Sequence, residues 1–147
     1  MAVTLTVSTD LNISGVHTNT IDLQKYSSNF TLGGSQRTYD TSAVSKEFSD
    51  TRTLAASETL DLTALTNTGL NSSQNYSTLK IIFIENKSSS QTLTFGGGTT
   101  PAFPVAVTIP AGGRFLLEAS WTIDGTHKLF NLTASGSLDY NIALIGN

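Results

Sequence analysis

The chain contains no cysteine, so neither a disulfide nor a thiolate-ligated metal contributes to its stability. Charge is also scarce: charged residues make up 13% of the 147 residues, and the net charge is −3. The eight basic residues are scattered, and two of them, Arg114 and Lys128, lie beyond residue 100. Because no basic cluster is present to replace phosphate counterions, we expect no nucleic-acid partner.

No apolar run approaches the length of a transmembrane span, so we expect no membrane partner. The first ten residues alternate apolar and polar side chains, a pattern that does not fit a signal peptide. Polarity comes mainly from Thr, Ser and Asn. A neutral surface of this kind fits an ordinary Thr-rich β-protein, and it equally fits close packing against a neighbour, since little charge must be desolvated.

Apolar and polar residues alternate with a period of two, and turn residues interrupt them, which predicts about eight to ten short strands and no convincing helix. The predicted fold class is all-β: an antiparallel β-sandwich, jelly-roll-like, with a long irregular N-terminal region. An immunoglobulin-like sandwich stays open, because the sequence does not determine strand order. Residues 1–50 are predicted to begin with a short strand at Val3–Val7 and to continue, over residues 10–50, as an arm or excursion with one or two short strands and a helical turn at Ser42–Phe48. Residues 51–147 are predicted to form the sandwich core of the same unit.

Local patterns also predict strand pairing. The stretch Leu79–Ile84 is apolar on both faces, which predicts a central strand, and the polar turn Glu85–Gln91 predicts a hairpin with Thr92–Phe95.

The C-terminal third predicts a meander. The turn dipeptide Asp124-Gly125 predicts a hairpin in which Trp121 faces Lys128. A second loop, centred on Gly136 with positive φ, continues the hairpin into a third strand. The last three strands would then share one apolar face, which includes Phe115, Leu117, Phe130, Leu132 and Tyr140.

The search for chemistry identifies no catalytic residue, metal ligand or cofactor site, so the chain is not predicted to be an enzyme. His17 and His127 lie in or beside polar loops, and the abundance of Ser and Asp makes any Ser-His-Asp match uninformative. Asp50, Glu58 and Asp61 match no calcium-loop spacing and fit a solvated strand edge.

The run Gly96-Gly97-Gly98 lacks the Lys-Ser/Thr and the helix of a phosphate-binding loop, which favours a flexible connection. Trp121, Tyr140 and Tyr76 suit either a sugar-binding platform or the core. For Trp121 and Tyr140 the core is favoured, with the Lys128 stem lying over the Trp121 ring.

Four aromatic residues in the polar N-terminal region lack a regular pattern that would bury them locally. Because aromatic side chains anchor interfaces, they are the candidate contacts with a partner. They are Tyr26, Phe30, Tyr39 and Phe48.

Four strings carry a resemblance to a known class of proteins: Asp50–Leu65 (DTRTLAASETLDLTAL), Leu79–Gly98 (LKIIFIENKSSSQTLTFGGG), Thr108–Leu117 (TIPAGGRFLL) and Leu138–Asn147 (LDYNIALIGN). They resemble segments of small virion proteins of tailed phages, in which similar turns, a glycine-rich loop and a terminal Ile-Ala-Leu-Ile-Gly strand follow in this order. The resemblance covers about residues 50–147.

The resemblance implies a capsid decoration or cement protein, a β-sandwich on the capsid exterior of the virion, made in the host cytoplasm. Its implied partners are the major capsid protein and further copies of itself, as a dimer or trimer. The N-terminal region would be the arm that reaches a neighbouring subunit. The alternative is a tail-fibre or tail-tip module that binds a cell-surface carbohydrate or receptor, and an enzyme such as a depolymerase is a third.

Overall fold

The computed structural model describes residues 7–9, 13–19, 26–32, 37–39, 46–67 and 72–147, and the side chains of residues 46–66 and 73–147. It divides the chain into two compact units, Met1–Ser42 and Ala43–Asn147. No helix in the described ranges is long and apolar enough to cross a membrane.

The first unit contains two antiparallel strand pairs, β1 with β4 and β2 with β3. The described residues of this unit contain four strands, whereas the sequence predicted a strand at Val3–Val7 and one or two more up to residue 50. Their bounds are β1 Val7–Thr9, β2 Ile13–Asn19, β3 Tyr26–Leu32 and β4 Arg37–Tyr39.

The second unit contains ten strands in its described residues. They are β5 Lys46–Leu54, β6 Ser57–Asp61, β7 Leu65–Asn67, β8 Ser72–Gln74, β9 Thr78–Asn86, β10 Leu93–Phe95, β11 Val107–Ile109, β12 Arg114–Thr122, β13 Leu129–Ala134 and β14 Leu138–Gly146. Strands β7 and β8 form a small pair of their own.

The other eight strands form two four-stranded antiparallel sheets. Sheet 1 has the order β5–β14–β9–β12, and sheet 2 has the order β6–β13–β10–β11. The pairs β5–β14, β6–β13, β9–β12 and β10–β11 nest inside one another along the chain. This is one long antiparallel hairpin, with its tip between β10 and β11, rolled up so that successive pairs alternate between two sheets. The predicted jelly roll is confirmed.

The core lies between the inner faces of the two sheets. An aromatic cluster centres on Phe95. The centroid of its ring lies 4.7 Å from the ring centroid of Phe115, 5.3 Å from that of Phe103 and 5.4 Å from that of Phe130. Phe115 comes from sheet 1, whereas Phe95 and Phe130 come from sheet 2. The cluster therefore joins the sheets through the large apolar area that aromatic side chains bury.

The predicted central position of Leu79–Ile84 is confirmed, since β9 lies between β12 and β14. The predicted hairpin between this strand and Thr92–Phe95 is wrong, because β10 belongs to the opposite sheet.

The predicted C-terminal meander is also wrong. Strand β12 pairs with β9, β13 pairs with β10 and β6, and β14 pairs with β5 and β9. A tight turn does follow Asp124, where the main chains of Asp124 and His127 bond to each other in both directions. Beyond this turn the two flanking segments do not pair with each other. The Ile123 N–H donates to the Ser77 carbonyl, and the Lys128 N–H donates to the Thr100 carbonyl. Gly136 is not among the residues with positive φ.

Strand β5 corrects two further expectations. Its first residues, Lys46–Phe48, are extended and not helical, while residues 42–45 lie outside the described ranges. It pairs with β14 along its whole length. The predicted boundary between residues 50 and 51 therefore cuts a strand of the sandwich.

Candidate interaction surfaces

Of the four candidate contact residues, Phe48 has a described side chain, and this side chain is not at the surface. Phe48 is 0% exposed and belongs to the core cluster, opposite Leu144 in the sheet 1 register. It is therefore unavailable to a partner, and this prediction is wrong for Phe48. The main chains of Tyr26 and Phe30 lie in β3 and that of Tyr39 lies in β4, but their side chains are outside the described part of the structure.

The described histidine, His127, is an exposed residue at the turn between β12 and β13. Its Nδ1 lies 3.0 Å from a carboxylate oxygen of Asp124. The same oxygen accepts the Thr126 hydroxyl at 2.8 Å, so it organises the turn. The side chain of His17, in β2, is outside the described residues.

The three acidic residues considered as metal ligands are occupied by cations of the chain. Asp50 and Glu58 both bond to the Arg52 guanidinium, which joins β5 of sheet 1 to β6 of sheet 2. Asp61 accepts the Lys128 ammonium at 2.8 Å. Among the residues with described side chains, no group of three potential ligands could hold a metal ion.

The Arg52 network closes one open side of the sandwich. Glu58 also accepts the Tyr140 hydroxyl at 2.7 Å. The bond to Glu58 raises the pKa of Arg52 above its usual value, and burial raises the pKa of Tyr140. The cation and the neutral phenol are thus the stable forms, and both donate to the Glu58 carboxylate.

The position of the Lys128 stem over the Trp121 ring stays a prediction. The Lys128 ammonium reaches Asp61 in β6, and the ring contact of Trp121 is with Phe103 at 4.9 Å. The bond from Lys128, together with the Thr63 hydroxyl, lowers the pKa of the Asp61 carboxyl to about 2. Tyr140 is 0% exposed, which confirms its predicted place in the core, and Tyr76 is also buried, at 1% exposed.

The glycine run is the tip of the rolled hairpin, and three bonds tie it down. The Gly96 N–H donates to the Asn131 carbonyl, the Gly97 N–H donates to the Phe103 carbonyl, and the Asn131 side-chain amide donates to the Gly97 carbonyl. All three glycines have positive φ. A Cβ on Gly96 would lie 2.3 Å from the Val105 carbonyl oxygen. These glycines therefore build the loop that brings Phe103 to the core.

Asn86 is a structural residue that the sequence did not single out. It is 0% exposed, and its side-chain amide donates to the carbonyls of Gln91, Ile109 and Pro110. It thereby joins the loop after β9 to the turn before β12. The sequence places Asn86 in a polar turn, and an Asn in such a turn gives no sign that its side chain is buried.

The outer face of sheet 1 carries an apolar patch in cross-strand register. Leu116 of β12 faces Phe83 of β9, which faces Ala143 of β14. In the next row Ile81, which is 3% exposed, faces Ile145. Leu116 is 42% exposed. We call these five residues the sheet 1 patch.

An ion pair lies beside the sheet 1 patch. Arg114 donates to Glu85 at 2.7 Å, and Glu85 also accepts the Asn141 amide at 2.7 Å. The bonds from Asn141 and Arg114 lower the pKa of the Glu85 carboxyl. The apolar surface is thus bordered by polar groups that are held in fixed positions.

The outer face of sheet 2 differs in chemistry, because one row across its four strands consists of hydroxyl groups. Thr108 of β11 faces Thr94 of β10, which faces Thr133 of β13, which faces Ser57 of β6. The hydroxyl oxygens of Thr94 and Thr108 lie 3.2 Å apart. We call these four residues the hydroxyl row.

A shallow cleft lies beside the last residues of β12. It has a volume of about 370 Å³, and a half-buried Trp121 contributes to its lining. Its other lining residues are Pro104, Ser120, Thr122 and His127.

Comparisons of the chain with profiles of known families, with curated proteins and with solved structures found no match.

Proposed function

We propose that the chain is a structural virion protein that decorates and stabilises the capsid of a tailed phage by binding the lattice of the major capsid protein. The jelly-roll strand order supports this proposal, since viral shells are among the structures built from that fold. Fold alone does not determine function, so the argument depends on the surface.

The observation that carries the proposal is the hydroxyl row. Four neutral side chains in register form a row that contains no charge. A protein lattice can pack against such a row without desolvating an ion, a step that is costly when the ion stays unpaired. Contacts of this kind are weak one by one, but the symmetry of a shell repeats them and avidity multiplies them.

The strings behind the phage resemblance have structural roles that fit this argument. Gly146, in the terminal string, has no room for a side chain, because a Cβ would lie 1.9 Å from the Thr78 carbonyl oxygen. Asn86 and Gly112 belong to one hydrogen-bonded corner. The strings therefore specify the sandwich, and the capsid role is what the resemblance adds to it.

A binding assay with empty heads of the phage tests the proposal. We expect purified chain to sediment with the heads and Thr133→Lys to lose most of this binding, because it places a charge in the hydroxyl row. Ser49→Lys is the matched control, since Ser49 is an exposed strand residue on the outer face of sheet 1. Equal binding by both variants, or no binding by the wild-type chain, would reject the proposal.

The arm hypothesis needs a deletion that spares β5. Deletion of residues 1–42 removes the first unit and leaves every strand of both sheets. We expect the shortened chain to stay folded by circular dichroism and to lose capsid binding, together with the aromatic residues Tyr26, Phe30 and Tyr39. Normal decoration by this shortened chain would show that the first unit is not the arm.

The cleft beside Trp121 favours the second candidate function, a tail-fibre or tail-tip module that binds carbohydrate. An aromatic ring beside hydroxyl groups and an imidazole is a surface on which a sugar ring stacks and bonds. Copy number separates the two functions: a cement protein is present in hundreds of copies on the head, and a receptor binder in tens on the tail. Quantitative mass spectrometry of purified particles measures this number.

A further inference from the structure

The outer edge of β12 has the geometry of an edge that pairs with another strand. Strand β12 is the last strand of sheet 1 and pairs with β9 on one side. Within the described ranges no strand pairs with its other side. A sheet edge of this kind presents main-chain N–H and C=O groups that a further strand satisfies.

The regular part of this edge is short and well defined. From Arg114 to Glu118 the register with β9 is continuous, and the irregularity lies between Glu118 and Trp121. A bulge disturbs pairing locally, so it confines an incoming strand to the five residues Arg114–Glu118.

Those five residues, Arg-Phe-Leu-Leu-Glu, are complementary to themselves. In an antiparallel pair centred on Leu116, Arg114 of each copy faces Glu118 of the other. Phe115 faces Leu117 in the same way, and Leu116 faces its own copy. Opposite charges directly across an antiparallel pair are favourable, and both ends of the pair carry them.

The side-chain geometry agrees with the charge pattern. Arg114, Leu116 and Glu118 lie on the outer face, since their partners in β9 are Glu85, Phe83 and Ile81. The Arg114 side chain is 69% exposed while it bonds to Glu85. A guanidinium has five N–H donors, so it can bond to a second carboxylate without releasing the first.

Burial of apolar side chains is the second interaction that favours the pairing of the two β12 strands. Leu116 is 42% exposed at the end of the row Leu116–Phe83–Ala143. A two-fold axis at Leu116 places two such rows end to end and shields both leucines. On the inner face, the half-buried Phe115 and Leu117 would continue the core across the axis.

We propose that two copies of this chain form a symmetric dimer in which residues Arg114–Glu118 of their β12 strands pair antiparallel about Leu116, joining the two copies of sheet 1 into one eight-stranded sheet. The contact is isologous, as in most homodimers. It does not depend on the proposed capsid role, because it uses the edge of sheet 1 and leaves the hydroxyl row of sheet 2 free.

Charge exchange tests the pairing in the full chain by sedimentation velocity. The wild-type chain is expected to be a dimer. Arg114→Glu and Glu118→Arg each place like charges opposite one another and are expected to shift the chain to monomer. The double variant restores both opposite-charge contacts and is expected to recover the dimer. Glu47→Arg, on the far edge strand β5, is the matched charge-reversal control and is expected to stay dimeric.

A cysteine cross-link tests the position of the axis. Because the chain has no cysteine, Leu116→Cys introduces one thiol per copy, and the axis places the two thiols opposite each other. We expect mild oxidation to convert this variant to a covalent dimer, whereas Ser57→Cys, on the exposed edge strand β6 of sheet 2, stays monomeric on a denaturing gel.

A wild-type monomer at all concentrations overturns the proposal, and so does a double variant that stays monomeric or equal cross-linking at both positions. These measurements contain no capsid. Their failure would leave the capsid proposal standing, and a chain that does not bind capsids would leave the dimer standing.

Discussion

The side-chain amide nitrogen of Asn86 lies 3.0 Å from the carbonyl oxygen of Pro110. This contact joins two turns that are more than twenty residues apart in the chain, at the end of the sandwich where β9 ends and β12 begins. The Gly112 N–H adds a bond to the Ser88 carbonyl, and the Asn86 N–H adds one to the Gly113 carbonyl. The turns therefore form one corner that positions β12 against β9.

Replacement of Asn86 tests the corner. We expect Asn86→Ala to lower the free energy of unfolding by about 2–3 kcal/mol, because buried carbonyl groups lose their donor. Equilibrium unfolding in urea measures the change. Ser89→Ala, exposed in the same loop, is expected to stay within about 0.5 kcal/mol of the wild type. Equal stability of the two variants would contradict the structural role of Asn86.

Three glycine-to-alanine substitutions separate crowding from backbone conformation. Gly125 has no positive φ and no atom within 4 Å of an added Cβ, so Gly125→Ala is expected to be neutral. Gly112 has the same open space but a φ of 68°, so Gly112→Ala is expected to cost about 1 kcal/mol.

Gly146→Ala is expected to cost the most of the three, about 3 kcal/mol, because the new Cβ meets the Thr78 main chain. Thermal unfolding of all three variants gives the order. If Gly146→Ala is as stable as Gly125→Ala, the close approach of β14 to β9 is not present in solution.

The low pKa of Asp61 predicts acid sensitivity. The folded pKa is about 2, below the ordinary value of 3.8, so the carboxylate stabilises the fold above about pH 4. This contribution is lost as the pH falls from about 4 through 2. Lys128→Met removes the ammonium and is expected to move the pKa of Asp61 towards 3.8.

Carboxyl NMR titration measures this pKa directly, and urea unfolding at several pH values follows the stability. Lys87→Met, another lysine substitution outside the Asp61 contact, should leave the pKa of Asp61 unchanged. An unchanged pKa in Lys128→Met as well would show that the ion pair does not form.

Replacement of Phe48 tests whether this residue belongs to the core or contacts a partner. We expect Phe48→Ala to destabilise the fold by about 3–5 kcal/mol, since it leaves a cavity between β5 and the core. Val105→Ala, at a position that is 62% exposed, is expected to cost far less. A stable Phe48→Ala variant with altered partner binding would restore the original interpretation of Phe48 as a contact.

The sequence predicted which side chains face the core better than it predicted which strands pair with each other. The alternation that put Phe115, Leu117, Phe130, Leu132 and Tyr140 on one apolar face is confirmed by the core cluster. The pairing built on the same pattern is wrong. In a sandwich, two successive strands bury the same residues whether they pair in one sheet or face each other across the core, so alternation alone does not separate these arrangements.

Two other residues show what local patterns miss. Phe48 was placed at the surface because its neighbours in β5 are polar, and the inner face of that edge strand carries Asp50 and Arg52 beside it. The Arg52 bond to Glu58 compensates this polarity, and it depends on β6 in the other sheet. Asn86 likewise finds its acceptors after the chain has folded back.

Electron cryomicroscopy of the tailed-phage particle to which the proposal assigns this chain is the decisive measurement. If the chain is a decoration protein, we expect density for an all-β domain repeated over the outer surface of the head, with its sheet 2 face turned towards the capsid lattice. Density for the chain at the tail alone, or a particle that lacks the chain, would contradict the proposal.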